Sequence, residues 1–155
     1  MDEIVARSLA KWPNVPAVYG WLELDRRGNW LIKGERIGNA ALRDFIARNY
    51  EADERGRWFF QNGPQRVYVK LAYAPLVVHY EGQHLFDHCG RPFVPKHTFQ
   101  DDEGSVLLEG ERGLALLDDR DLERYADLAE RLPRLARSEV ETRFAFVSDP
   151  AQALR

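Results

Sequence analysis

The chain has 155 residues, 45% of them hydrophobic and 30% charged, and a formal net charge of -3. That length suits one domain or two small packed halves, and it buries enough surface to need neither disulfide nor metal for folding. The mildly acidic balance disfavours a nucleic-acid partner, no apolar run nears the roughly 20 residues of a membrane helix, and the single Cys89 makes no internal disulfide.

The first residues, Met1-Asp2-Glu3, place acids where a secretion signal carries bases, so a cytoplasmic protein without membrane association is expected. Residues 1–16 read as an N-terminal extension, with a short helix over 2–10 that Pro13 and Pro16 bring to an end. From Ala17 the pattern is extended, and Tyr19, Trp21 and either Leu22 or Leu24 suit half-buried strand positions. Residues 25–29 have hairpin chemistry before Trp30. Asn39 is placed to cap a helix over 40–48, where Leu42, Phe45 and Ile46 recur at helical spacing.

Residues 57–61 and 66–71 are expected to pair as a hairpin around Asn62-Gly63-Pro64-Gln65. Further strands follow at 76–80, 84–87 and 91–94, the last confined to an edge by Pro92 and Pro95. Residues 100–104 read as a solvated acidic turn. A second helix is expected over 119–132, capped by Asp118, with Leu122, Tyr125, Leu128, Ala129 and Leu132 on one stripe. Val140, Thr142, Phe144 and Phe146 alternate as a closing strand over 140–147, and 149–155 form a tail.

Trp30-Leu31-Ile32-Lys33-Gly34-Glu35-Arg36 is echoed by Val106-Leu107-Leu108-Glu109-Gly110-Glu111-Arg112, and a helical pattern follows each. The echo implies an α+β fold of two related strand-rich halves, 17–80 and 81–148, with mostly antiparallel sheets each packed by a helix. Trp30, Phe45, Trp58 or Phe59, Tyr68, Leu114 and Tyr125 are expected in the core.

Spaced positions over roughly 19–130 also carry a resemblance. They are Gly28-Asn29-Trp30 with Gly34 and Ile37, the Trp58 to Val69 hairpin, Ala74-Pro75, the Asp87 to Gly90 turn, His97, Arg112 to Leu116, and Tyr125 to Leu128. In these the chain is similar to a family of small bacterial proteins known only as a domain of unknown function. The resemblance implies repeated α+β motifs and a role in signalling, and it transfers no catalytic residue. Cys89, several histidines and the 140–147 segment depart from the family pattern.

All four histidines and the cysteine fall between His79 and His97. Imidazole and thiolate are the usual zinc ligands, which makes His84, His88, Cys89 and His97 the candidate metal set. The spacing matches no recognised ligand pair, and a structural reading seats His88-Cys89 in a hairpin turn. An activated Cys89 thiol beside His88 is the nucleophile reading, weakened because strand neighbours point to opposite faces. The acidic pairs Asp53-Glu54, Asp101-Asp102 and Asp118-Asp119 suit turns and helix starts better than acid–base catalysis. Arg36, Arg66 and Arg112 are the candidate ligand-binding residues.

The functional expectation is a non-enzymatic module that binds a small molecule or a protein partner, in signal transduction, with no cofactor. The alternative is a metal-binding protein or metal-dependent enzyme using the His79–His97 cluster and zinc. A homo-oligomer formed through the edge strand at 91–94 is a third expectation.

Overall fold

A computed structural model of the chain describes residues 1–11 and 17–152. The chain divides into two compact units. The first comprises Met1–Asp25, Asn29–Ala72 and the segment from Phe146 on, and the second Arg26–Gly28 with Tyr73–Ala145.

In the first unit, α1 (Glu3–Lys11) precedes β1 (Val18–Leu24), β2 (Trp30–Ile32) and β3 (Glu35–Arg36). Helix α2 (Ala40–Arg48) leads to β4 (Tyr50–Ala52), β5 (Trp58–Asn62) and β6 (Gln65–Leu71). The sheet order is β3-β2-β1-β6-β5-β4. It consists of two antiparallel meanders joined by the parallel pair β1–β6.

Helix α2 starts where expected because the Asn39 carboxamide accepts the Leu42 amide at 3.0 Å, filling one of the orphan donors of the first turn. It stops at Asn49, whose side-chain amide donates to the Phe45 carbonyl at 3.0 Å. Asn49 also accepts the Asp2 amide at 2.7 Å, which ties α1 to the end of α2. Ile46 and Ala47 face the core with Leu22, Leu24, Trp30, Tyr50 and Trp58. The Tyr50 ring meets both Trp30 and Trp58 at centroid distances of 4.9 Å.

The second unit holds β7 (Leu76–Glu81), β8 (His84–Asp87), β9 (Pro92–Phe93), β10 (His97–Asp101), β11 (Val106–Gly110), β12 (Gly113–Leu117) and β13 (Arg134–Leu135). A 3-10 helix covers Asp119–Tyr125, and α3 covers Arg137–Phe144. The sheet order is β13-β10-β11-β12-β7-β8-β9, with β7 and β12 parallel at its centre. Without β13, the strands β7 to β12 repeat the order and pairing senses of β1 to β6. The class is α+β, with two strand-rich halves of like topology.

The Gly-Glu-Arg echo does not mark that likeness. In the topology β2–β3 corresponds to β8–β9, and β11–β12 corresponds to β5–β6. Lys33-Gly34 forms the two-residue turn between the paired Ile32 and Glu35. Gly110 instead ends β11 opposite Gly113, and Glu111-Arg112 make the turn. The same three letters therefore occupy different positions in two hairpins that are not equivalent.

A different motif recurs, Asp-x-x-Gly-x, at 25–29, 53–57, 87–91 and 101–105. In each, the Asp amide donates to the carbonyl four residues on, at 2.8 to 3.0 Å, and Oδ1 of the Asp accepts the amide of that residue. The glycines lie at φ +83, +77, +84 and +86, in the left-handed region where a side chain is disfavoured. The second oxygen anchors each loop. Asp25 holds the Asn29 carboxamide, Asp53 the Tyr68 hydroxyl and Arg57, Asp87 Arg112, and Asp101 the Tyr73 hydroxyl.

Several expectations need correction. Residues 140–147 form no strand, because α3 ends only at Phe144. Val140 and Phe144 are four apart and so share a helical face as readily as a strand face. Val140 is buried, the Phe144 ring lies 5.5 Å from that of Phe99, and Ala145 stops the helix at φ +55.

The 119–132 helix shortens to the 3-10 segment and turns. Its stripe buries little, with Leu128 exposed and Tyr125 only half-buried, and a short helix without a packed face is marginal. Asp101, placed in a solvated turn, is fully buried because its loop closes β10, a strand the sequence reading missed. Trp21 is exposed, whereas Leu22 and Leu24 are both buried.

Candidate ligand-binding site

A cavity of about 300 Å³ opens in the first unit between α2 and one face of the sheet. Val18, Trp21 and Leu22 of β1, Ile32 of β2, Leu42 and Ile46 of α2, and Phe60 and Val67 of β5 and β6 form its apolar wall. Asn62 and Gln65 are its polar groups. Period-2 alternation explains the sheet side, since Phe60 pairs with Val67 and, two residues on, Asn62 pairs with Gln65. The helix side follows from the four-residue spacing of Leu42 and Ile46.

The β1 contribution depends on a bulge. Val18 pairs with Val67 and Leu22 with Val69, and the register slips between them. Gly20 sits in the slip at φ +77. A bulge re-aims the neighbouring side chains, and here both Trp21 and Leu22 reach the cavity wall although they are adjacent in sequence. Trp21 remains 52% exposed and Leu42 38% exposed. Exposed apolar groups bordering an apolar cavity are a binding-site signature. Among the described residues none that lines the cavity is ionisable, so it suits an uncharged apolar body with the two carboxamides as hydrogen-bonding groups.

Lys33 lies beside this wall. Its amide donates to the Trp21 carbonyl at 3.2 Å, and its ammonium lies 4.9 Å from the centre of the Trp21 ring.

The residues singled out from sequence lie elsewhere. Arg36 is exposed and donates to the Asn29 carboxamide at 3.1 Å. Arg66 stacks over Phe59 at 4.0 Å. Arg112 pairs with the buried Asp87 at 3.2 Å. Arg36 and Arg66 belong to the first unit and Arg112 to the second, and each makes a local contact.

His84 and His97 are exposed on β8 and β10, and His88 and Cys89 occupy the 87–91 loop. His88 Nδ1 accepts the Val77 amide at 3.1 Å. Among the described residues no three His, Cys, Asp or Glu side chains gather in a way that fits a metal ion. The Cys89 thiol is pushed up to about 12 by burial and then by the Asp87 charge, against the opposing pull of Arg112 and Arg91. At neutral pH it is a protonated, weakly nucleophilic thiol.

The cavity was not read from the sequence. Its one local sign is the Tyr19-Gly20-Trp21-Leu22 run, where a glycine interrupts a strand and leaves a tryptophan off the alternation. Phe60, Val67 and Ile32 look like ordinary core positions.

With fold and site in view, the chain can be placed. The family model described as "Protein of unknown function (DUF2946)" matches residues 1–151, and the chain belongs to that family. Two solved structures share the fold. A DUF1285 family protein from Silicibacter pomeroyi DSS-3 is similar with a TM-score of 0.56 and 19% identity, over 83% of this chain and 85% of that one. A DUF1285 family protein from Shewanella baltica OS155 has a TM-score of 0.52 and 19% identity, over 68% of this chain and 90% of that one. Comparison with curated proteins finds no match. Among the described residues no helix is long and apolar enough to cross a membrane.

Proposed function

We propose that this protein is a non-catalytic binding module that takes a small apolar ligand into the cavity under α2. The carrying observation is the cavity itself, about 300 Å³ with an uncharged and largely apolar wall. Its volume lies at the low end of the range for small-molecule sites, and is about twice that of an engineered cavity that admits benzene. Filling it removes apolar ligand surface from water, and among the described residues the wall holds no charge whose desolvation would oppose entry.

The earlier resemblance to bacterial proteins of unknown function adds a context, in which ligand occupancy is read out in cytoplasmic signalling. The test is saturable binding of the neutral fluorophore N-phenyl-1-naphthylamine to the whole chain. One-to-one enhancement of its emission is expected, and it is abolished by Leu42→Trp or Val18→Trp, which place an indole in the opening from half-exposed or exposed positions. Absence of binding, or binding indifferent to both variants with circular dichroism unchanged, overturns the proposal.

A further inference from the structure

We infer that the ligand of this cavity is an amphipathic anion, an acyl or aryl carboxylate whose apolar body fills the cavity and whose head pairs with Lys33. This rests on the cavity being a binding site and adds the class of molecule. The first observation is the backbone of Lys33. It opens the two-residue turn between β2 and β3 at φ +51, followed by Gly34 at φ +84. Both central residues of such a turn need positive φ, so turn chemistry alone favours Asn, Asp or Gly at the first. Lysine is there despite the turn, and strained backbone of this kind concentrates at functional positions.

The second observation is where the side chain goes. The Lys33 ammonium is held over Trp21, itself part of the cavity wall and half exposed. Among the described residues Lys33 has no carboxylate partner. The residue before it, Ile32, also lines the cavity. A ligand whose tail lies between Ile32, Leu42 and Phe60 therefore meets the positive charge of Lys33 beside Trp21. The wall excludes charge from the body of the ligand, and Lys33 selects the sign of its head.

The experiment displaces N-phenyl-1-naphthylamine from the full chain with octanoate or 1-octanol at pH 8, using the native protein and Lys33→Gln. Octanoate is expected to weaken about threefold to fivefold in Lys33→Gln, the size of a partly exposed ion pair, while 1-octanol changes little. Rising salt should weaken octanoate selectively in the native protein alone. If the two competitors respond equally to the substitution, or neither responds, the anionic head is wrong while the cavity reading stands. If the fluorophore never binds the native protein, both fall together.

Discussion

The two units share one strand topology but differ at one connection, and the cavity follows from that difference. Between β3 and β4 of the first unit the chain inserts α2 at Ala40–Arg48. At the equivalent place in the second, between β9 and β10, only residues 94–96 intervene. The second unit takes its α-helix from the end of its chain instead, where α3 follows β13. A sheet with a helix in the connection between its two meanders gains a wall that can stand off the strands. The equivalent turn of the second unit is too short to do this.

The closing loops 53–57 and 101–105 offer the strongest way to sharpen the comparison, since they are topologically equivalent and bonded alike. Asp101 is fully buried and serves the Tyr73 hydroxyl and two backbone amides. The Asp53 side chain is 7% exposed, and one of its partners is the charged Arg57, itself 18% exposed and within reach of water. Asp101→Ala strands three donors, two of them in buried bonds, and should cost about 4 kcal/mol, against about 2 kcal/mol for Asp53→Ala, whose four bonds are exposed or part-buried. Urea denaturation of the two variants measures the gap, and equal losses would overturn the contrast between the two loops.

A smaller contrast concerns two glycines. At Gly28 an added Cβ lies 2.7 Å from the His88 Cβ and the backbone is at φ +83, whereas Gly34 at φ +84 faces open space. Gly28→Ala combines backbone strain with a clash and should destabilise by about 3 kcal/mol, Gly34→Ala by about 1 kcal/mol. Thermal melts decide the order.

The acid response gives a third test. Burial works to raise the Asp53 carboxyl, but the Arg57 amide, the Tyr68 hydroxyl, the Arg55 amide and the Arg57 guanidinium outweigh it and leave it below its ordinary value. A carboxylate depressed in the folded state contributes stability that is present above its unfolded pKa, near 4, and lost as pH falls through the lower folded value. Stability should therefore be flat with respect to this group above about pH 5 and decline below about pH 4. Asp53→Asn should lessen that decline in acid-denaturation curves.

The smallest effect on stability belongs to the cavity mouth. Leu42→Ala on the exposed flank of α2 should change stability by less than about 1 kcal/mol, yet weaken fluorophore binding several-fold. A large fall in stability would mean that Leu42 serves the core rather than the cavity.

Local chemistry was enough to locate α2, the 58–71 hairpin, the edge position of β9 and the turns of the Asp-x-x-Gly loops. Each is specified by residues within a few positions of one another, such as the Asn39 cap or the Asn62–Gln65 turn. The α+β class of two like halves was drawn from the Gly-Glu-Arg echo, whose two copies lie in hairpins that are not equivalent, so the class holds on grounds other than the one that suggested it. Tertiary packing decided what short-range pattern leaves open. Val140 and Phe144 satisfy helix and strand periodicity alike, and contact with Phe99 accompanies the helical form. The 119–132 stripe is amphipathic, yet none of its described residues is fully buried, and it meets the sheet through Tyr125, whose hydroxyl lies 2.7 Å from that of Tyr80 on β7. The cavity needed residues from β1, β2, β5, β6 and α2 brought together across a register slip. That is a property of strand pairing over distances that no local window of sequence contains.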